Sequence, residues 1–144
     1  MRFWDSSALL PLISDEKFSD TVADLLREDA DTTVWWGTWA ECAVAISRLR
    51  REGRLDEERE ELTRDVLDVL AQTWVEVRPT DDLRLLSSLL SQYHPLRTAD
   101  CFQLAAALRW CEGDTTGRNF VCLDDRLRRA ARDEGFQVLP GEEE

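Results

Sequence analysis

The chain has few of the residues that most enzymes use for acid–base or nucleophilic chemistry. His94 is its only histidine and Lys17 its only lysine. It contains neither a glycine-rich phosphate loop nor a GxSxG nucleophile elbow. These absences disfavour P-loop and serine-hydrolase mechanisms. His94 precedes Pro95 and is interpreted as a loop residue rather than a ligand.

Long apolar runs and paired cysteines are also missing. No stretch approaches the roughly 20 apolar residues that cross a bilayer, and the charged start differs from a signal peptide. We therefore expect a cytoplasmic protein without membrane contact. The cysteines show no CxxC and no metal-ligand spacing, and each lies in an apolar stretch. This pattern predicts four buried, reduced thiols, at Cys42, Cys101, Cys111 and Cys122.

The charge balance is strongly acidic, with a formal net charge of −12. Such a chain repels phosphate backbones in general. Much of the excess lies in two segments interpreted as solvated, residues 55–62 and the tail from about 141. Arginines cluster at 48–51 and 126–129. These clusters could contact a phosphate chain locally, although pairing with neighbouring acids is the simpler interpretation.

Strand-like and helix-like segments alternate along the chain. Short apolar strands are predicted near residues 3–4, 32–36, 74–77, 120–123 and 136–139, with helical patterns between them. We expect a bend near Pro11 and capping by Thr38 and Thr98. The tryptophans at 35, 36 and 39 are expected to be mostly buried, although one could be exposed for pairing with another chain. The alternation predicts one α/β domain over residues 1–144, with a mainly parallel sheet covered on both faces.

Four acidic residues in mostly apolar surroundings are the candidate site. Asp5 and Asp124 follow predicted strands, and Glu41 and Asp100 fall in first helical turns. Ligands of parallel α/β sheets bind beyond the carboxyl ends of the strands, so the four acids are expected to converge. Each also has a structural interpretation: Asp5 and Asp124 as helix caps, Glu41 as the capping-box partner of Thr38, and Asp100 as a dipole-favoured first-turn acid. Spacing does not decide between Asp124 and Asp125.

Converging carboxylates would suit a hard divalent cation. Oxygen ligands favour Mg²⁺ or Mn²⁺, and such a metal would support hydrolysis of a phosphodiester without a histidine base.

These segments resemble PIN-domain ribonucleases, especially the VapC-like toxins of toxin–antitoxin pairs. Residues 5–10 are similar to the family's opening motif, and Glu41 lies on the helix after the second strand. Leu96-Arg-Thr-Ala-Asp100 and Gln103-Leu-Ala-Ala-Ala107 resemble the segment with the third acid. Phe120-Val-Cys-Leu-Asp124 resembles the segment with the fourth, with Cys122 where many relatives carry Ser or Thr.

The resemblance implies a three-layer α/β/α fold with four to five strands and Mg²⁺- or Mn²⁺-dependent cleavage of RNA, for which tRNA or rRNA are candidates. It also implies a homodimer and a cognate antitoxin. Asp5 and Asp100 are expected as the foremost metal ligands, completed by Glu41 and Asp124.

Two alternatives stay open: a PIN-like module that binds RNA or protein without turnover, and a structure-specific DNase. Receiver domains and haloacid-dehalogenase phosphatases are disfavoured, because Ser-Ser follows Asp5 and Lys17 lies far from the position that they need.

Overall fold

A computed structural model of the protein describes residues 1–141. The acidic tail expected from about 141 therefore lies, apart from Gly141, outside the described residues. The strands are β1 (Arg2–Trp4), β2 (Thr32–Trp35), β3 (Val75–Val77), β4 (Asn119–Val121) and β5 (Gln137–Leu139). The helices are α1 (Ser6–Ile13), α2 (Ser19–Glu28), α3 (Thr38–Arg51), α4 (Glu57–Ala71), α5 (Asp81–Leu90), α6 (Thr98–Trp110) and α7 (Asp125–Asp133).

The strands form one sheet in the order β3-β2-β1-β4-β5, and every neighbouring pair is parallel. The chain leaves β1 toward β2 on one side and reaches β4 on the other. The strand order therefore reverses between β1 and β4, which is where ligands of such sheets bind.

Side chains alternate across the strands and divide the core into two layers. Phe3 and Phe120 pack with α5, α6 and α7, whereas Trp4 and Val121 face α1 to α4. Because both faces of the sheet are covered, the central strand β1 and its neighbours β2 and β4 are largely buried. The three-layer α/β/α prediction is confirmed, with five parallel strands.

Two local predictions were wrong. α1 continues through Pro11 and ends at Ile13, rather than stopping after a first turn as expected. The tryptophans are not mostly buried: Trp35 stacks on Phe102, but Trp36 and Trp39 are 49% and 44% exposed. Trp36 lies in the turn after β2, and Trp39 lies on the outer side of α3, where its indole N–H donates to Asp68.

The four cysteines are buried and free, as predicted. Among the described residues, no helix has the length and apolarity of a membrane span.

Candidate active site

Asp5 lies at the reversal of strand order, directly after β1. Its backbone N–H donates to the Val121 carbonyl at 3.0 Å, which joins the ends of β1 and β4. One carboxylate oxygen, Oδ2, accepts from the backbone N–H and hydroxyl of Ser7 and from the Cys122 thiol, and so caps α1. The other, Oδ1, contacts only the Ser6 hydroxyl within the described chain, at 3.5 Å. Capping therefore engages one oxygen, and the second accepts only this long hydrogen bond from Ser6.

Asp124 also uses one carboxylate oxygen to cap a helix, at the start of α7. Its Oδ1 accepts from the Leu127 backbone N–H at 2.9 Å and caps the helix. Asp124 also lines a cavity of about 280 Å³ together with Arg97, Asp100 and Arg126. Asp125 is the first residue of α7, is exposed, and is not among the lining residues.

Glu41 is held through both of its carboxylate oxygens. The side-chain N–H of Gln103 donates to Oε1 at 2.9 Å, and the Ser6 hydroxyl donates to Oε2 at 3.1 Å. The predicted capping box is wrong: Gly37 is the N-cap of α3, and Thr38 is a buried helical residue whose hydroxyl oxygen accepts from Gln103. The Glu41 carboxylate therefore points toward Asp5 and α6 rather than back to its own helix.

Asp100 occupies the first turn of α6, three residues before Gln103, so the two share one face of the helix. The predicted cap at Thr98 is also wrong, because Thr98 is helical and Arg97 takes the N-cap position without a side-chain hydrogen bond. α3 and α6 belong to opposite helical layers. Glu41 and Asp100 thus reach the same edge of the sheet from its two sides.

The four carboxylates influence one another electrostatically. Burial, then the charge of Asp124, then that of Asp5 raise the pKa of Asp100 to about 6. Burial raises the pKa of Asp5, and the pKa of Glu41 is raised by burial and by the charges of Asp5 and Asp100. Within residues 1–141, none of the four forms an ion pair with a basic group. The positive charges of Arg97 and Arg126, which line the same cavity, lower the pKa of Asp100 only in part, so the negative charge of the cluster is not neutralised.

The carboxylate oxygens of the four acids suit a hard cation, although the acids are not grouped closely enough to enclose one. In the described part of the chain, no three Asp, Glu, His or Cys side chains stand in a group that could hold a metal ion as they are. Mg²⁺ typically keeps several waters and takes one or two protein carboxylates plus substrate oxygens, which an open set of acids can provide. Larger cavities of about 440 and 640 Å³ lie elsewhere and are lined by none of the four acids.

Several contacts around the acids were not predicted from the sequence. Ser6 joins Glu41 to Asp5, and Gln103 joins α6 to α3. The available signal for Gln103 was a lone polar residue in an otherwise apolar helical stretch. Arg128 donates to the Cys122 and Pro140 carbonyls at 2.7 Å and is a structural brace. His94 lies in a loop, forms a hydrogen bond with Glu134 at 2.8 Å, and is not a member of the acid cluster.

Comparison with known proteins places the chain in a family. The model of the PIN domain matches residues 2–133. No curated protein matches the chain in sequence. The chain belongs to the PIN domain family, whose fold is of the nuclease type.

Three solved structures share the fold of this chain. A toxin–antitoxin complex from Klebsiella pneumoniae is 18% identical, with 88% of each chain covered and a TM-score of 0.63. FitAcB from Neisseria gonorrhoeae is 15% identical over 96% of each chain, with a TM-score of 0.68. FitAB bound to an IR36 DNA fragment is 12% identical over 96% of this chain and 94% of that one, with a TM-score of 0.66.

Proposed function

We propose that this PIN domain is a divalent-metal-dependent endoribonuclease and the toxin of a toxin–antitoxin pair. The observation that supports the proposal is the mutual electrostatic effect of the four acids near the reversal of strand order, with no basic side chain in an ion pair with any of them within residues 1–141. Such a cluster is unfavourable on its own and is relieved by a bound cation. The family and the toxin–antitoxin complex among the solved structures support the biological role.

Asp5, Glu41, Asp100 and Asp124 would hold Mg²⁺ or Mn²⁺, directly or through water. When bound, such a metal neutralises charge on the phosphoryl oxygens and lowers the pKa of water. The protein's part is to keep the acids oriented. Ser7 and Cys122 fix one oxygen of Asp5, Leu127 fixes one oxygen of Asp124, and Ser6 and Gln103 hold both oxygens of Glu41.

Arg97 and Arg126 would bind the phosphates of the RNA. Both are exposed, line the cavity shared by Asp100 and Asp124, and form no ion pair among the described residues. On a chain with a net charge of −12, two uncommitted arginines beside the acids would draw the backbone to this position.

The partners in the proposal are an RNA substrate such as tRNA or rRNA, a second copy of the chain, and a cognate antitoxin. The two rival functions differ from it in the outcome of one experiment. Purified protein is incubated with RNA and with DNA of the same sequence, with Mn²⁺, Mg²⁺ or a chelator.

Metal-dependent cleavage of RNA alone supports the proposal. Cleavage of DNA alone would indicate the DNase, and binding without cleavage of either would indicate the non-catalytic module. Growth arrest on expression, relieved by co-expression of a neighbouring gene's product, tests the toxin role.

A further inference from the structure

Gln103 is buried completely, with 0% of its surface exposed, at the contact between the two helical layers. Its side-chain nitrogen donates to the Thr38 hydroxyl oxygen and to Glu41 Oε1, both at 2.9 Å. The orientation of the amide follows from chemistry: a flipped amide would set its carbonyl against a carboxylate that only accepts hydrogen bonds. One amide nitrogen thus joins α6 to two successive positions on the face of α3.

The other end of the same amide is unpartnered. Gln103 Oε1 is buried and has no hydrogen-bond partner among the described residues. A buried acceptor without a partner costs stability, and an apolar side chain of similar size would avoid that cost. Core stability therefore explains Gln103 poorly, whereas its side-chain nitrogen forms two hydrogen bonds to α3.

One of these hydrogen bonds holds a carboxylate oxygen of Glu41. Glu41 is a long side chain in the first turn of α3, and only hydrogen bonds from outside its own helix fix its carboxylate. Gln103 and Ser6 each take one oxygen, and Gln103 shares its helical face with Asp100, three residues away.

We propose that Gln103 is a positioning residue that orients Glu41 for metal binding, an inference that rests on the proposed function. Partners that orient the ligands of a metal typically change its affinity by 10- to 100-fold when they are removed. Gln103 acts through Glu41 and does not touch the metal itself.

The test is Mn²⁺ affinity, measured by calorimetry on the RNA-free protein. Gln103→Met removes the donor at nearly constant volume, and Leu104→Met is the matched control, because it inserts methionine at the adjacent buried position of α6. We expect the Mn²⁺ Kd to rise 10- to 100-fold in Gln103→Met and to change by less than about twofold in Leu104→Met. Denaturant unfolding checks that both variants fold, and Gln103→Leu, which also removes the donor without adding a charge, replaces Gln103→Met if it does not.

A double-mutant cycle then tests the route of the effect. In a Glu41→Ala background, Gln103→Met is expected to cause no additional loss of Mn²⁺ affinity. An unchanged Kd in Gln103→Met, or an equal loss with and without Glu41, would overturn the inference and leave the proposed function standing. A native protein that binds no Mn²⁺ and cuts no RNA would overturn the proposed function, and the inference with it.

Discussion

Asp124 shares a cavity with Asp100, and its negative charge is second only to burial in raising the pKa of Asp100 to about 6. The two acids belong to different elements, the start of α7 and the first turn of α6. Their repulsion is a property of the fold rather than of local sequence. It gives the metal-free protein a site that is strained by charge.

Asp100→Asn is expected to reduce cleavage by about 100-fold or more, because a lost metal contact removes several kcal/mol of transition-state stabilisation. The same change should stabilise the metal-free protein at pH 7. The full pKa shift corresponds to about 3 kcal/mol, and solvent screening of this half-buried group reduces the expected gain to about 1 kcal/mol. Cleavage assays and urea unfolding in chelator measure the two effects.

Asp125→Asn is the matched control, since it removes a charge from the exposed residue that follows Asp124 and lies outside the cavity. It should leave both cleavage and stability nearly unchanged. An Asp100→Asn variant that is less stable than Asp125→Asn would contradict the repulsion argument.

The gain from Asp100→Asn should depend on pH. The folded pKa of Asp100 lies above its ordinary value of 3.8, so the folded state binds the proton more tightly and ionisation weakens folding. The loss of folding stability caused by ionised Asp100 is absent below about pH 4, grows between about 4 and 6, and is complete above about 7. Urea unfolding of the native protein and the variant at pH 4 and 7 checks this; a difference that is equal at both pH values would argue against it.

The two serines after Asp5 should respond differently to alanine. Ser6 lies between Glu41 and Asp5, so Ser6→Ala is expected to lower cleavage about tenfold with little loss of stability. Ser7 also accepts from the Leu123 N–H at 3.0 Å and donates to Asp5. Ser7→Ala should therefore cost about 1–3 kcal/mol of folding free energy as well. Equal stability of the two variants would refute this distinction.

Arg126→Gln and Arg97→Gln should weaken RNA binding without affecting the fold. Each is expected to raise KM and to reduce the salt dependence of binding by about 0.7 in the log–log slope, the value for one phosphate contact on a single strand. Arg129→Gln is the control, because Arg129 is exposed on α7 but does not line the cavity. The same salt slope in all three variants would remove Arg97 and Arg126 from the proposed interface.

The cysteines should resist thiol reagents in the folded protein. All four are buried and free, and burial raises the pKa of each thiol, that of Cys42 to about 12. The reactive thiolate is therefore scarce at pH 7. Labelling with iodoacetamide should be slow in buffer and reach four groups in denaturant; rapid labelling of Cys122 in the native protein would show that the acid cluster opens.

Much of this fold followed from pattern alone, since short apolar strands between amphipathic helices admit few arrangements other than a covered parallel sheet. The position of Asp5 was also predicted correctly, because it directly follows β1, whereas β4 ends at Val121 and Asp124 comes three residues later as the N-cap of α7. Interactions between distant elements were not readable. Whether the Glu41 side chain caps α3 beside Thr38 or accepts a hydrogen bond from Gln103 depends on where α6 lies. Gln103 is 62 residues further along the chain than Glu41. The exposure of Trp36 and Trp39 likewise depends on which face of a turn the fold leaves open.

The four acids are proposed to form one metal-dependent site for RNA cleavage. The most direct measurement incubates a mixed tRNA and rRNA pool with the native protein and with Asp100→Asn, in Mn²⁺, Mg²⁺ or chelator. We predict discrete cuts by the native protein with either metal, and none with chelator or with the variant. Cuts that persist in chelator or in Asp100→Asn would contradict the account.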